Sequence, residues 1–401
     1  MKKSLKYTLL SLLLASSVTA ASAVDFGGMI TNDTKFSGKD FGKLLLEQKN
    51  AATAWIRIPF NNEGTTYFTA EGMYQFVQKD IKIGDVSPSP DTRYAGIADL
   101  SLFKFATTWK TGSNKISLSA GRFHSMDLSG LVFSQTADSL LISFDLNRVT
   151  FAVYGAYTGL LNARTVKMLT TADFVENDGK GILAMDHYQL AQKYVVASAT
   201  LSFPNLFAGQ TLSLQGLGTF KVEGDSYNRI YAELSLGGPL VSTLYYNLHT
   251  TFGFAKIKDD DFKTGNLSKA FLTYYAPVKS ISFSAGAVYA SGDNGGLKSF
   301  TGFTSQTATN ASGGRTEYTG IIKASAAFSI KPLQNILLGA SCDAIFDANE
   351  SPKYEGFQYG LNANWQVVSD FMLAATMYQY FDKNDDNRNK NCIQLKAALS
   401  F

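Results

Sequence analysis

The sequence predicts an all-β protein: a transmembrane, antiparallel, up-and-down β-barrel of about 18 strands (roughly 16–18). Three observations predict this fold. Apolar and polar residues alternate along most of the chain, short and long connections alternate between these stretches, and only 17% of the residues are charged whereas 45% are hydrophobic. Soluble domains have about 25% charged residues, so this chain has too few ionised side chains to cover a soluble β-protein.

Eighteen segments show the period-two alternation that places successive side chains on opposite faces of a strand. From Ile322 to Ile330, for example, every second residue is apolar. Many segments are long enough to cross a bilayer, which takes about 9–11 tilted residues. The predicted strands lie near residues 24–32, 50–60, 65–79, 94–109, 115–123, 138–147, 148–157, 188–203, 209–223, 226–237, 242–256, 266–276, 280–291, 316–331, 335–348, 354–368, 371–382 and 391–401.

The connections between these strands support the same fold independently. Short connections are 61–64, 110–114, 146–147, 204–208, 237–241, 276–279, 331–334 and 369–370. Between them lie 33–49, 80–93, 124–137, 158–187, 257–265, 292–315, 349–353 and 383–390, which are mostly longer and more polar. A transmembrane barrel has tight periplasmic turns and longer external loops, whereas a soluble sandwich has no reason to alternate them. Within the first long connection, Phe41–Lys49 is interpreted as a short amphipathic turn.

The first 23 residues are predicted to be a secretory signal peptide. Lys2, Lys3 and Lys6 precede an apolar stretch of about a dozen residues, which is short of the ~20 that a membrane-spanning helix needs. Small residues at Ala21 and Ala23 suit cleavage after Ala23. The mature chain is then a single barrel domain, residues 24–401. Because the three lysines account for the formal charge of +3, its 33 basic and 33 acidic residues balance, and no nucleic-acid partner is expected.

The last strand ends in a pattern that resembles the assembly signal of bacterial outer-membrane β-barrel proteins. Apolar residues occupy every second position up to a terminal aromatic residue: Ile393, Leu395, Ala397, Leu399 and Phe401. Within that class the chain looks like the porins, since a barrel of about eighteen strands leaves an aqueous lumen. The resemblance implies the Gram-negative cell outer membrane, contact with lipid and with the barrel-assembly machinery, and passive diffusion of small hydrophilic solutes and ions. Homotrimers are common among such proteins.

Strand parity predicts a set of charged residues that face the lumen and could set which ions pass. The set is Arg57, Glu71, Asp99, Asp145, Arg229, Glu233, Lys323, Asp343, Asp347 and Lys396. The third long connection, 124–137, is placed where porins fold a loop inward, and its one carboxylate, Asp127, is the constriction-loop candidate. An ordinary exposed loop remains open for this connection, and 158–187 is an alternative constriction.

A second functional hypothesis is a structural or adhesive surface barrel that binds a partner through loops 158–187 and 292–315. The chain is not predicted to be an enzyme, because His124, His187 and His249 stand in no catalytic or metal-ligand spacing. No cofactor or metal is predicted. Cys342 and Cys392 fall on strands that are not neighbours, so no disulfide is expected between them.

Overall fold

The computed structural model describes residues 24–39, 44–83, 93–166, 168, 187–223, 227–257, 263–277, 280–293, 296–304, 317–349, 351–386 and 389–401. The predicted signal peptide, residues 1–23, lies outside the described residues, as do 169–186 and 305–315 of the two longest predicted connections. In the described part of the chain, no helix is long and apolar enough to span a membrane.

The described part of the chain contains eighteen strands, and they form one sheet. Their bounds are β1 (Asp25–Gly38), β2 (Leu44–Pro59), β3 (Thr66–Ile83), β4 (Arg93–Thr111), β5 (Asn114–Met126), β6 (Ser134–Asp145), β7 (Thr150–Tyr157), β8 (Tyr194–Phe203), β9 (Thr211–Lys221), β10 (Tyr227–Val241), β11 (Leu244–Ile257), β12 (Lys263–Tyr275), β13 (Ser282–Ala290), β14 (Ile321–Leu333), β15 (Ile336–Asp347), β16 (Lys353–Val368), β17 (Phe371–Asp382) and β18 (Lys390–Ser400).

The sheet closes on itself. Each strand pairs antiparallel with the next in sequence, and β1 pairs with β18 from Met29 opposite Ser400 to Gly38 opposite Asn391. One further rung extends this closure, since Gly28 N donates to Phe401 O (2.9 Å) and Phe401 N donates to Gly28 O (3.0 Å). Closure pairs the first strand with the last, so neither of them is left as a free sheet edge, as a membrane-spanning sheet requires. The predicted class, an antiparallel barrel of about 18 strands, is confirmed.

The two faces of the wall differ as the period-two pattern predicts. On β9, the inward Gln215 and Thr219 are buried, whereas the outward Leu214 and Phe220 are about 40% exposed. The outer face of this strand is therefore apolar and exposed, which suits contact with hydrocarbon.

A β-bulge on β4 interrupts the alternation. Glu71 is paired with Leu102 and Gly72 with Leu100, so Ser101 between them has no partner on β3. One extra residue reverses the parity of the strand. As a result, both Leu100 and Phe103 are exposed on the outer face although three positions separate them.

The interpretation of the first long connection was wrong. β1 continues to Gly38 and β2 begins at Leu44, and their register runs without interruption from Asp25 opposite Arg57 to Ser37 opposite Leu45. Most of Phe41–Lys49 is therefore strand and not an amphipathic turn. The outward pair of Phe36 and Leu46 continues the apolar face there, and charges on the other face obscured the alternation.

Candidate functional site: the lumen and its constriction

Residues 127–133, here called the inner loop, are folded around the carboxylate of Asp127. This carboxylate accepts backbone hydrogen bonds from Ser129 (2.7 Å), Gly130 (3.1 Å), Val132 (3.1 Å) and Phe133 (2.7 Å), and another from the Ser129 hydroxyl. The Asp127 side chain is buried. It therefore holds the shape of the loop by accepting hydrogen bonds from the loop's own N–H groups.

The inner loop lies against the inner wall of the barrel and contacts strands that are distant from it in sequence. Leu128 N donates to Gln215 Oε1 on β9 (3.0 Å), and Lys269 Nζ on β12 donates to Ser129 O (2.8 Å). The connection that was predicted either to fold inward or to remain exposed thus folds inward. It crosses the inside of the barrel from β5 and β6 to β12.

Two ionisable side chains lie under the inner loop. Glu233 on β10 and His249 on β11 have fully buried side chains, and His249 Nε2 is 3.7 Å from Glu233 Oε2. His249 Nε2 also lies 2.7 Å from Thr251 Oγ1. Glu233, predicted to line the pore, is on the inner face but is covered by the loop.

A second inward segment, residues 296–304, is joined to the inner loop. Phe303 N and Thr304 N both donate to Val132 O (2.8 and 3.0 Å), and Ser134 N donates to Thr304 Oγ1 (2.9 Å). The Phe303 ring, fully buried, lies 6.1 Å from the ring of Phe133. The two segments therefore form one body inside the lumen, and we call it the constriction.

The constriction packs on β10 through aromatic and cationic side chains. Arg229 is 1% exposed and lies above the Tyr227 ring (3.9 Å) and near the Phe303 ring (5.8 Å). Tyr231 donates its hydroxyl to Thr301 O (2.8 Å). Arg229, another predicted pore-lining residue, is therefore a packing partner of the constriction and is shielded from the open part of the lumen.

The opposite side of the lumen stays open next to β1–β5. A cavity of about 920 Å³ lies there, lined by Asp25, Trp55, Arg57, Tyr67, Thr69, Glu71, Leu102, Lys104, Phe123 and His124 among others. The Arg57 guanidinium lies 4.2 Å from the centre of the Tyr67 ring. Ser101 Oγ donates to Glu71 Oε1 (2.5 Å). Arg57 and Glu71, both predicted from parity, are thus brought together in this cavity.

The remaining predicted charges are distributed around the wall. Lys323 and Asp343 form an ion pair at 3.5 Å, and Ser325 and Gln358 donate to the same carboxylate. Lys396 lies 3.5 Å from Asp33.

Three more predicted carboxylates make separate contacts. Asp99 accepts from Thr165 Oγ1 (2.6 Å), and Asp347 accepts from the backbone of Asn349 (2.8 Å). Asp145 is opposite Lys115 in the register. These residues form no single site, and their effect on permeation stays a prediction.

Sequence reasoning missed three polar side chains that matter to the lumen. Lys104 lines the cavity, and Lys269 and Gln215 hold the inner loop. Parity would place all three inward once the strands are known, but the bulge on β4 conceals the parity of Lys104. In the described part of the chain, no three His, Cys, Asp or Glu residues are grouped closely enough to hold a metal ion.

The predicted assembly residues share the outer face of the last strand. Leu395, Leu399 and Phe401 are 46%, 44% and 74% exposed, and Ile393 and Ala397 have the same parity. They therefore present an apolar face to lipid at the strand that closes the barrel.

The backbone is similar to that of outer membrane proteins of Pseudomonas aeruginosa. The outer membrane protein OpdK superposes with a TM-score of 0.58 at 10% sequence identity, over 94% of this chain and 99% of that one. OpdQ superposes with a TM-score of 0.58 at 9% sequence identity, over 95% of this chain and 99% of that one. OpdL superposes with a TM-score of 0.58 at 11% identity, also over 95% of this chain and 99% of that one. No protein-family model matches the sequence, and no curated protein sequence matches it. At these identities the similarity shows that the chain shares their barrel fold.

Proposed function

We propose that the protein is a porin of the bacterial outer membrane, through which small hydrophilic solutes and ions diffuse passively. The observation that carries this proposal is the closed barrel whose lumen is narrowed on one side by the constriction and keeps a charged cavity on the other. A lumen of this kind sorts solutes by size and charge and performs no covalent chemistry. The mature chain would begin after Ala23, and the apolar outer face of its barrel would contact lipid.

The fold of the similar structures supports this proposal. They are outer membrane proteins, and OpdK was also crystallised with vanillate, a small organic anion. We therefore include small carboxylates among the solutes to be tested. A homotrimer remains a prediction from the resemblance to porins.

The test is conductance of the folded protein. Refolded protein that shows heat-modifiable migration on a gel is added to planar bilayers, and stepwise current increases are expected in potassium chloride. Swelling of proteoliposomes in sugars and in vanillate then measures solute passage. A correctly folded sample that gives neither steps nor swelling contradicts the proposal.

Deleting Phe401 is expected to lower strongly the amount of barrel assembled in the outer membrane. The deletion removes both backbone bonds to Gly28 and the terminal ring that resembles an assembly signal. Phe401→Ala keeps the backbone bonds, so it separates the two effects, and Trp109→Ala removes another outward aromatic side chain (51% exposed) as a matched control. Folded protein in membrane fractions is the measurement. Equal amounts for all variants would show that the last residue has no role in assembly.

A further inference from the structure

Polar amides stand on the outer face of β1 and β2, where the barrel wall is expected to meet lipid. Asn32 Nδ2 donates to Asn50 Oδ1 (2.7 Å), and Thr34 Oγ1 donates to Asn32 Oδ1 (3.1 Å). Asn50 is exposed, and the residue opposite it on β3 is the outward Phe76. An amide in contact with hydrocarbon is costly unless its hydrogen bonds are made.

These amides lie within the apolar band of the wall and not at its border. Along β1, Asn32 lies between the outward Ile30 and Phe36. Along β2, Leu46 continues the apolar face beyond Asn50. The polar head groups at the membrane surface are thus separated from the amides by apolar side chains, so Asn50 requires a different partner.

The amide nitrogen of Asn50 has both of its hydrogen atoms free. Asn50 accepts the bond from Asn32 through Oδ1, and in the described part of the chain no group accepts a bond from its Nδ2. An amide oxygen has two lone pairs, so a second Asn50 at the same height satisfies both side chains, each Nδ2 donating to the other Oδ1. Two copies inserted in the same orientation bring the same residue to the same height when a two-fold axis along the membrane normal relates them.

A groove of about 680 Å³ lies beside the amides on the outer face of the same wall. Small residues line it: Ala52, Ala54, Gly72 and Ala98. Tyr74, which is 49% exposed, stands between Ala52 on β2 and Ala98 on β4 in the register. Because small residues let two membrane-embedded surfaces approach closely, the Tyr74 ring of each copy fits into the groove of the other.

The groove offers no free charge to a ligand. Among the described residues that line it, only Asp99 is charged. The Asp99 side chain is 11% exposed, lies 3.7 Å from Arg122 and accepts a hydrogen bond from Thr165 Oγ1 (2.6 Å). The groove therefore suits an apolar or aromatic side chain.

We propose that the outer wall formed by β1–β4 is the interface of a homodimer, in which two barrels meet at a two-fold axis beside Asn50. The inference rests on the proposed location in the outer membrane, but it concerns a protein partner and not the passage of solutes. A lipid acyl chain fills the groove equally well, but it leaves Asn50 Nδ2 without an acceptor. The resemblance to porins predicts a homotrimer, whereas a self-complementary surface of this kind closes with two copies.

The first test closes the groove without disturbing the barrel. A Cβ built at Gly72 meets no atom within 4 Å, so Gly72→Leu is accommodated by its own chain. Gly216→Leu is the same exchange at an exposed position of β9, where a Cβ also meets no atom within 4 Å. The number of copies per particle is counted from photobleaching steps of labelled protein in lipid vesicles. We expect pairs for the unaltered protein and for Gly216→Leu, and single barrels for Gly72→Leu.

Asn50→Leu tests the amides separately. Leucine keeps the outer face apolar, so the barrel is expected to fold, but the two reciprocal hydrogen bonds between copies are lost. Dilution of the protein in the vesicles then measures the dissociation constant of the pair. We expect it to rise about tenfold, which corresponds to about 1.4 kcal/mol.

Cross-linking in outer membranes locates the interface on the wall. Ala52→Cys places a thiol on the outer face next to Asn50, and Ala232→Cys places one at an exposed position of β10, across the barrel from β2. Both variants are made in a Cys342→Ala, Cys392→Ala background, since both native cysteines are free. A short bismaleimide is expected to give a dimer band for Ala52→Cys and none for Ala232→Cys.

Several outcomes overturn the dimer. They are single barrels for the unaltered protein, pairs that persist in Gly72→Leu, a trimeric count, and equal cross-linking of Ala52→Cys and Ala232→Cys. Conductance of the same samples decides the porin function separately. Single-barrel current steps are expected for Gly72→Leu, and absence of steps in every variant contradicts the porin without changing the number of copies counted.

Discussion

Replacing Asp127 by alanine is expected to raise the single-channel conductance severalfold. The carboxylate is the acceptor for four backbone N–H groups of the inner loop, and a buried N–H left without a partner costs about 1–3 kcal/mol. The loop then loses its shape, Val132 O no longer holds Phe303 N and Thr304 N, and the constriction withdraws from the lumen. Conductance steps in planar bilayers measure the change, and we expect larger current noise as well.

Two variants control for charge and for size in this experiment. Asp145→Ala removes the same negative charge from β6 without touching the inner loop, so it reports the electrostatic part alone. Asp127→Asn keeps one acceptor oxygen and the side-chain volume, and an intermediate conductance is expected. If Asp127→Ala conducts like the unaltered protein with equal noise, the inner loop does not limit the pore.

The barrel could be predicted from the sequence because its determinants are local. The alternation along Ile322–Ile330 indicates which residues lie on each face of the strand, whichever strand it pairs with. The short turns indicate that consecutive strands are neighbours in the sheet. The same parity placed Lys323 and Asp343 on one face, and the register then brings them within 3.5 Å. Local patterns of this kind are set by the pleat of the strand and by the contrast between lipid and water.

The sequence could not decide whether the connection 124–137 folds inward or stays exposed, because the determinants of the constriction are contacts between distant parts of the chain. Lys269 donates to Ser129 across 140 residues, and Phe303 N meets Val132 O across 171. Neither segment has an alternating pattern, so nothing local indicates whether it projects outward or inward. For the same reason parity could place Arg229 and Glu233 on the inner face without showing that the constriction covers them.

The structural role of Arg122 was not predicted, for a different reason. Parity assigns it to the outer face, where a charge normally contradicts a membrane-facing strand. The contradiction is resolved by Asp138 and by Leu160 O, which belong to two other elements. A charged residue that breaks the apolar face was therefore a usable signal, and Arg122 lies at the last pair of the β4–β5 register, opposite Phe103.

Replacing Arg57 by glutamate is expected to shift the selectivity of the pore toward cations severalfold. Among the described residues around the open cavity, Asp25 and Glu71 are acidic and Arg57 and Lys104 are basic. The substitution changes this charge balance by two units, and the changed side chain lies on the wall of the open cavity. The Debye length is ~10 Å at 0.1 M salt and ~3 Å at 1 M, so the shift in reversal potential under a potassium chloride gradient is expected to be large at low salt and small at high salt.

The matched control is Arg148→Glu, the same exchange on the exposed turn that joins β6 and β7. Arg57→Lys keeps the charge and loses the planar contact with Tyr67, which is worth about 0.5–1 kcal/mol, so its selectivity is expected to stay near that of the unaltered protein. An equal shift in Arg148→Glu and Arg57→Glu would show that the field of the whole barrel governs selectivity. No shift in Arg57→Glu at low salt would show that ions pass elsewhere, because a charge reversal on the wall of the conducting path must change which ion enters it.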